Sequence, residues 1–406
     1  MLTLRDPIHG FIHADALESA LIDSAPVQRL RAVHQLGFTW LVYPGAEHSR
    51  FSHVLGAMQL AGRVYDTLAA KSAGLLEPGP EHGTRRGAPP ARRLVRAAAL
   101  LHDIGHAPFS HSAEHLFEER IDHEEMTRRL LATPEIQEVF DRHGDGLTAE
   151  QVAALLAGGG DGVSRLLAQI VSGELDVDKM DYLLRDGLYC GVRYGDYDLD
   201  RLLDTMEAIQ DPETGDWGLG VDEGGVHALE ALVMARYYMF TQVYFNVTGK
   251  ALELHFSEWL DDTQRRWPAD PQAFLAHDDV STLAEMRRSD SLHARAVVTR
   301  RHFPLAYQSR EHVTVDERER IEEMVETLKH RFGEHRILVS RSAKDPHRLG
   351  RARVLVRRWN GELEPMEAAS HFIRHLTRID RYRIYAPPEL VEEVGQAARR
   401  LSGSSS

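Results

Sequence analysis

The chain has 406 residues, 43% hydrophobic and 27% charged, which describes a globular protein large enough for one domain with an appendage or for two and excludes a disordered or collagen-like chain. Its 62 Asp and Glu outnumber 48 Lys and Arg, a formal net charge of −14 that disfavours a nucleic-acid partner and obliges any phosphate ligand to meet a local basic pocket. The single cysteine, Cys190, excludes an internal disulfide and a thiolate metal cluster, leaving His, Asp and Glu as metal ligands.

The opening MLTLRDPIHG lacks the basic and apolar blocks of a signal peptide, and no run approaches the roughly 18 apolar residues of a membrane helix, so a cytoplasmic protein without a membrane partner is expected. A short extended stretch broken by Pro7 and Gly10 precedes a helix predicted over 16–36. After the turn at Tyr43-Pro44-Gly45, apolar spacing predicts a helix over 52–70, buried on one side. Residues 74–93, rich in Gly, Pro and Arg, read as a long mobile surface loop. Helices follow over 94–106, 112–131, 148–156, 162–172 and 177–184, the first ending at Gly105 and Pro108. Turn residues around 217–221 predict a small ribbon, and a long helix is expected over 226–259. From about Arg336, strand-like runs (337–340, 353–358, 382–386) alternate with helices near His371 and Leu390, and Asn360-Gly361 marks a hairpin turn. The expected fold is therefore mainly α, a helical bundle with small β ribbons and a C-terminal α+β appendage. Its expected divisions are 1–265, 266–400 and a disordered tail, 401–406.

The chemistry lies in the histidines. His102-Asp103 sits at the polar end of an apolar helix, and His53 and Asp178, each on its own predicted helix, are candidates to complete a nitrogen and oxygen shell around one divalent ion. His106, His111, His115 and His123 crowd the residues that follow. His111 and Glu114, three apart, have the spacing of a general acid and the carboxylate that orients and charges it.

Four blocks carry a resemblance: Asp6-Pro7-Ile8-His9-Gly10, the run from Pro26 to His53, His102 to His111 (HDIGHAPFSH), and Asp176 to Asp186 (DVDKMDYLLRD). With them the chain resembles the HD-domain phosphohydrolases. It is similar in particular to the deoxynucleoside triphosphate (dNTP) triphosphohydrolases, which include bacterial dGTPases and the vertebrate enzyme that joins a SAM domain to an HD domain.

This resemblance implies a metal held by His53, His102, Asp103 and Asp178, with Mn, Mg, Fe, Co and Ni as candidate ions. It implies cleavage of a dNTP to deoxynucleoside and inorganic triphosphate, with His111 and Glu114 delivering the proton and His106 and His123 contacting phosphate or orienting the acid. Arg50, Lys179 and Arg236 would bind phosphates. Gln35 and Leu36 would pack on the deoxyribose, Asp186 would accept from its 3′ hydroxyl, Tyr182 would clash with a 2′ hydroxyl, and Tyr244 would face the base. Asp23, Gln28 and Arg31 match residues that read a guanine effector between subunits, which implies a nucleotide effector (GTP, ATP or a dNTP) and a homo-oligomer, dimer or tetramer. Leu2 and Asn246-Val247 replace basic residues of that pattern and remove charge from the effector's phosphate site. Other expectations are a different phosphoester substrate for the same metal centre (nucleoside monophosphate, cyclic nucleotide or alarmone) and a nucleotide sensor without turnover.

Overall fold

The computed structural model describes residues 2–72, 74–77, 90–109, 116–345 and 353–402. A hairpin of β1 (Leu2–Asp6) and β2 (Gly10–Ala14), with Asp6 opposite Gly10, opens the chain. The expected single helix over 16–36 is instead α1 (Ala16–Ile22), α2 (Ala25–Arg29) and a 3₁₀ turn, Leu30–Ala32. Asp15 and Glu18 form a capping box that starts α1, and Ser24, in extended conformation ahead of Pro26, restarts the chain as α2. α3 (Arg50–Lys71) runs through the centre of the bundle, and α4 (Pro90–Leu101) packs along it. Most of the predicted mobile loop, 78–89, lies outside the described residues, and helix begins at Pro90 rather than Leu94.

The helix predicted over 94–106 stops at Leu101. His102 Nδ1 donates to the Ala99 carbonyl at 2.9 Å, and 102–105 form a turn pressed against the next helix, where a Cβ on Gly105 would meet the His123 carbonyl at 2.2 Å. The helix predicted over 112–131 is also shorter. Residues 110–115 lie outside the described residues, Glu118–Arg120 form a 3₁₀ turn, and α5 (His123–Leu131) begins only where Asp122 caps it.

α6 (Pro134–His143), which the sequence reading passed over, is followed by α7 (Ala149–Leu156), α8 (Gly162–Val171) and α9 (Val177–Cys190). Asp176 caps α9, and Gly191 closes it in the left-handed region at φ 69°. α10 (Leu199–Thr205), also not anticipated, leads to an antiparallel ribbon of β3 (Met206–Gln210) and β4 (Trp217–Asp222). The long helix expected over 226–259 is two helices, α11 (Val226–Tyr238) and α12 (Val247–Asp262), separated by a π-helical turn, Met239–Tyr244. Asn246 starts α12 by accepting from the amides of Thr248 and Gly249.

α13 (Pro271–Phe274), α14 (Asp279–Arg288), α15 (Leu292–Val298), β5 (Leu305–Gln308) and α16 (Val315–Phe332) connect to the C-terminal strands. These are β6 (Leu338–Lys344), β7 (Leu355–Arg357), β8 (Leu363–Pro365) and β9 (Ile379–Tyr385), with α17 (Met366–Ala369), α18 (His371–Arg374) and α19 (Val391–Leu401) among them. The C-terminal region is tied to the bundle twice. β7 pairs in parallel with β4, Gly220 opposite Leu355, to make a sheet ordered β3-β4-β7-β8. The sheet β5-β9-β6 docks on α12 through a small core of Ala251, Phe303, Leu338 and Tyr385, and the Tyr385 hydroxyl donates to the Val247 carbonyl at 2.9 Å. The molecule is mainly α with small sheets, as the sequence predicts. Among the described residues no helix is long and apolar enough to cross a membrane. Residues 403–406 of the expected disordered tail lie outside the described residues.

Candidate active site

The site forms where α3, the turn after α4, and α9 converge. Close approach of α3 and α9 depends on Gly56, because a Cβ there would stand 1.9 Å from Asp181 Oδ1 and 2.4 Å from Arg185 Nη2. Residues 178, 181 and 185 fall at helical spacing on α9, so Asp178 lies beside the carboxylate that supports the site, and that carboxylate beside the arginine that holds it. His53 and His102 point their Nε2 atoms at Asp178 Oδ1, at 3.1 and 3.7 Å, and the three ligand atoms lie within 4.8 Å of one another. Asp103 Oδ1 stands 3.3 Å from His102 Nε2 and Asp103 Oδ2 3.8 Å from His53 Nε2, while Arg50 Nη1 donates to that same Oδ2 at 2.5 Å.

Donor chemistry shows that a cation fits. His53 gives its Nδ1 proton to Asp181 Oδ2 at 2.8 Å and His102 gives its own to the Ala99 carbonyl at 2.9 Å, which assigns the lone pairs to Nε2. Both Nε2 atoms are buried and make no hydrogen bond. Burial opposes a charge on His53, but Asp178 and Asp181 outweigh it and raise its pKa to about 10, so without a cation the Nε2 holds a proton, and a bound cation would take that proton's place. Burial likewise opposes ionisation of Asp103, and Arg50 with His102 and His106 overrides it to hold the carboxyl well below its ordinary value. His53, His102 and Asp178 thus form a cluster that could hold a divalent cation.

Behind His53 lies a chain of buried polar groups. Asp181 accepts from Arg185 through both oxygens, at 2.7 and 2.8 Å, and His9 Nε2 from the β1–β2 turn reaches it at 2.6 Å. Arg185 also donates to Asp6, which accepts the amides of Ile8 and His9 at 2.9 Å. The sequence reading gave no role to Asp6, His9, Asp181 or Arg185. The spacing of Asp178, Asp181 and Arg185 signals part of this network, but only the fold brings the hairpin to it.

The metal-competent groups open into a cavity of about 900 Å³. All eight residues expected to bind substrate line it: Gln35, Leu36, Arg50, Lys179, Tyr182, Asp186, Arg236 and Tyr244. Gln35 Oε1 is buried there without a hydrogen bond. Asp186 is held by His48 Nε2 and the Tyr244 hydroxyl, each at 2.8 Å, and Tyr182 meets Tyr244 edge-on with ring centroids 6.2 Å apart. Lys179 donates to Asp176 and to the Gly173 carbonyl. His106 and His123 also line the cavity, stacked at 4.2 Å, with His106 Nε2 3.1 Å from Asp103 Oδ1. Burial, then Arg50, lowers the His106 pKa to about 4, so its ring is neutral near pH 7. His111 and Glu114 lie outside the described residues. Asp23, Gln28 and Arg31 do not line the cavity. Gln28 donates to the Ile22 carbonyl and accepts from Arg31, whose guanidinium lies 3.6 Å from the centre of the Phe51 ring.

A helical bundle that buries imidazoles and carboxylates around one point, open to a cavity lined with arginine, lysine and tyrosine, has the make-up of a divalent-cation site facing an anionic ligand. Residues 50–186 match the HD domain and residues 197–403 the HD associated region. The chain is 37% identical over 252 residues to the uncharacterized protein YwfO of Bacillus subtilis, covering 62% of this chain and 53% of that protein. It is 31% identical over 268 residues to the deoxynucleoside triphosphate triphosphohydrolase SAMHD1 homolog of Dictyostelium discoideum, covering 63% and 48%. Its fold matches the crystal structure of a hypothetical protein from Aquifex aeolicus with a TM-score of 0.81 and 30% identity, over 98% of this chain and 99% of that one. The chain belongs to the HD-domain phosphohydrolases and is related to the dNTP triphosphohydrolases. It spans about half the length of the curated relatives it matches.

Proposed function

We propose that the protein hydrolyses deoxynucleoside triphosphates to deoxynucleoside and inorganic triphosphate. The observation that carries this reading is that one cavity joins the His53, His102 and Asp178 cluster to Arg50, Lys179 and Arg236 and to Tyr182, Asp186 and Tyr244. His53, His102, Asp103 and Asp178 would hold the cation, which supplies Lewis acidity, acidifying water and offsetting charge on phosphate. Arg50 and Arg236 bring the phosphates in as charge-assisted hydrogen-bond donors. Water adds to the α-phosphorus, the bond from phosphorus to the 5′ oxygen breaks, and the leaving oxygen takes a proton from His111, oriented by Glu114, the roles that the family resemblance implies for them. His106, neutral near pH 7, orients this machinery through Asp103. Asp186, fixed by His48 and Tyr244, accepts from the 3′ hydroxyl, and Tyr182 leaves no room for a 2′ hydroxyl. The same reading carries nucleotide activation at Asp23, Gln28 and Arg31 and a homo-oligomeric state.

Chromatographic product analysis tests this. Protein loaded with Mn, Mg or Co is incubated with each dNTP singly, in mixtures, and with GTP or ATP. Deoxynucleoside plus intact triphosphate is the expected outcome, and turnover only in mixtures would report the effector. Failure with every dNTP, metal and mixture overturns the reading and directs the search to other phosphoesters. His102→Ala should lose both bound metal and turnover. His111→Ala should keep the metal and lose turnover by roughly 10²- to 10⁴-fold if that imidazole delivers the proton.

A further inference from the structure

The C-terminal region places a cation in the cavity that the sequence reading did not single out. Lys344, the last residue of β6, lines the cavity beside Arg236 and Lys179. Its ammonium lies 5.2 Å from the centre of the Phe240 ring, and the Arg236 guanidinium lies 5.4 Å from the same ring. The π-helical turn between α11 and α12 carries this ring, which also meets Tyr244 edge-on at 5.0 Å. Lys344 is half-buried and makes no side-chain hydrogen bond or ion pair with any described residue, whereas Lys179 is tied to Asp176 and Lys250 to Glu253. Burial, followed by Arg236 and Lys179, pushes its pKa below the ordinary lysine value against the smaller opposing pull of Asp178 and Asp345. In a chain with a net charge of −14, a half-buried ammonium held beside two other cations is relieved by an anion.

We propose that Lys344 binds the phosphates beyond the scissile one and makes the site select triphosphates over shorter phosphate esters. This rests on the hydrolase reading above and extends it by assigning part of the specificity to the HD associated region. A monophosphate satisfies Arg50 and the cation; only a longer polyphosphate has oxygens left for Arg236 and Lys344.

Lys344→Gln and Lys344→Arg are compared with wild type in two assays: steady-state turnover of dNTPs, and calorimetric titration with inorganic triphosphate and with inorganic phosphate under excess Mg. Lys344→Gln should raise KM for dNTPs and the Kd for inorganic triphosphate by roughly ten- to a hundredfold, the range for a lost charged hydrogen bond, with kcat and phosphate binding little changed. Lys344→Arg should restore most of the loss. Unchanged triphosphate binding in Lys344→Gln, or an equal loss for triphosphate and phosphate, overturns the proposal. If wild type cleaves no dNTP, the hydrolase reading fails, and the titration still decides whether Lys344 binds polyphosphate.

Discussion

Asp181 shows how a residue that touches no substrate can govern a metal centre. It accepts the Nδ1 proton of His53 and thereby directs the Nε2 lone pair toward Asp178. Asp181→Asn should weaken metal affinity by roughly 10- to 100-fold, measured by competition with a chelator, the usual effect of removing such a carboxylate. Because Arg185 is buried and shares its charge between Asp181 and Asp6, the same variant should also melt earlier. At the sugar, Tyr182→Ala should relax discrimination against ribonucleotides, read as the ratio of kcat/KM for a dNTP and its ribonucleotide; an unchanged ratio would remove Tyr182 from sugar selection. His53, His102 and Asp178 were legible in the sequence because residue type and order alone mark them. Lys344 was not, because it lies far along the chain from α9 and carries no local pattern, and for His9 the Asp6 to Gly10 block marked the segment but not its contact with Asp181.

Among the elements, legibility followed periodicity and failed where side chains cap or interrupt. The 22-residue α3 was plain from its apolar spacing. The split of the long helix at Met239–Tyr244 was hidden, because a π-helical turn keeps helical composition while Asn246 restarts the helix. The contact of α3 with α9 leaves no room at Gly56, so Gly56→Ala should cost roughly 1–3 kcal/mol by overpacking and lower metal retention, measured by melting and metal content. α12 and α15 meet through the buried pair His255 and His293, whose Nδ1 atoms are 2.8 Å apart, and His255 Nε2 accepts the Phe303 amide at 2.9 Å. Burial, then His293 and His302, lowers the His255 pKa to about 3, against roughly 6.5 in an unfolded chain. Between those values the unfolded state binds more protons, so this contribution to stability is complete above about pH 6.5 and is lost as pH falls toward 3. Melting temperature should therefore drop through that window, and His255→Gln, which can still accept from Phe303, should flatten the slope.

On the scale of the whole molecule, the HD domain and the HD associated region share a cavity. The cavity takes lining from both, Asp178 from one and Lys344 from the other, so the polyphosphate binding proposed for it would depend on how firmly the C-terminal sheet sits on α12. Tyr385→Phe removes the hydroxyl that ties β9 to the Val247 carbonyl. It should weaken inorganic triphosphate binding while leaving metal content unchanged, since no metal-competent residue belongs to that contact.

The parallel pairing of β7 with β4 has a consequence for how the chain comes into being. β4 leaves the ribosome well before β7, with every element from α11 to β6 between them, so the strand that covers its edge arrives late. Until then the β3–β4 ribbon offers open amides and carbonyls to any neighbouring chain. Folding should therefore finish with this closure. Refolding from denaturant at rising protein concentration should divide between closure and edge-to-edge association, with light scattering growing at the expense of recovered native fold.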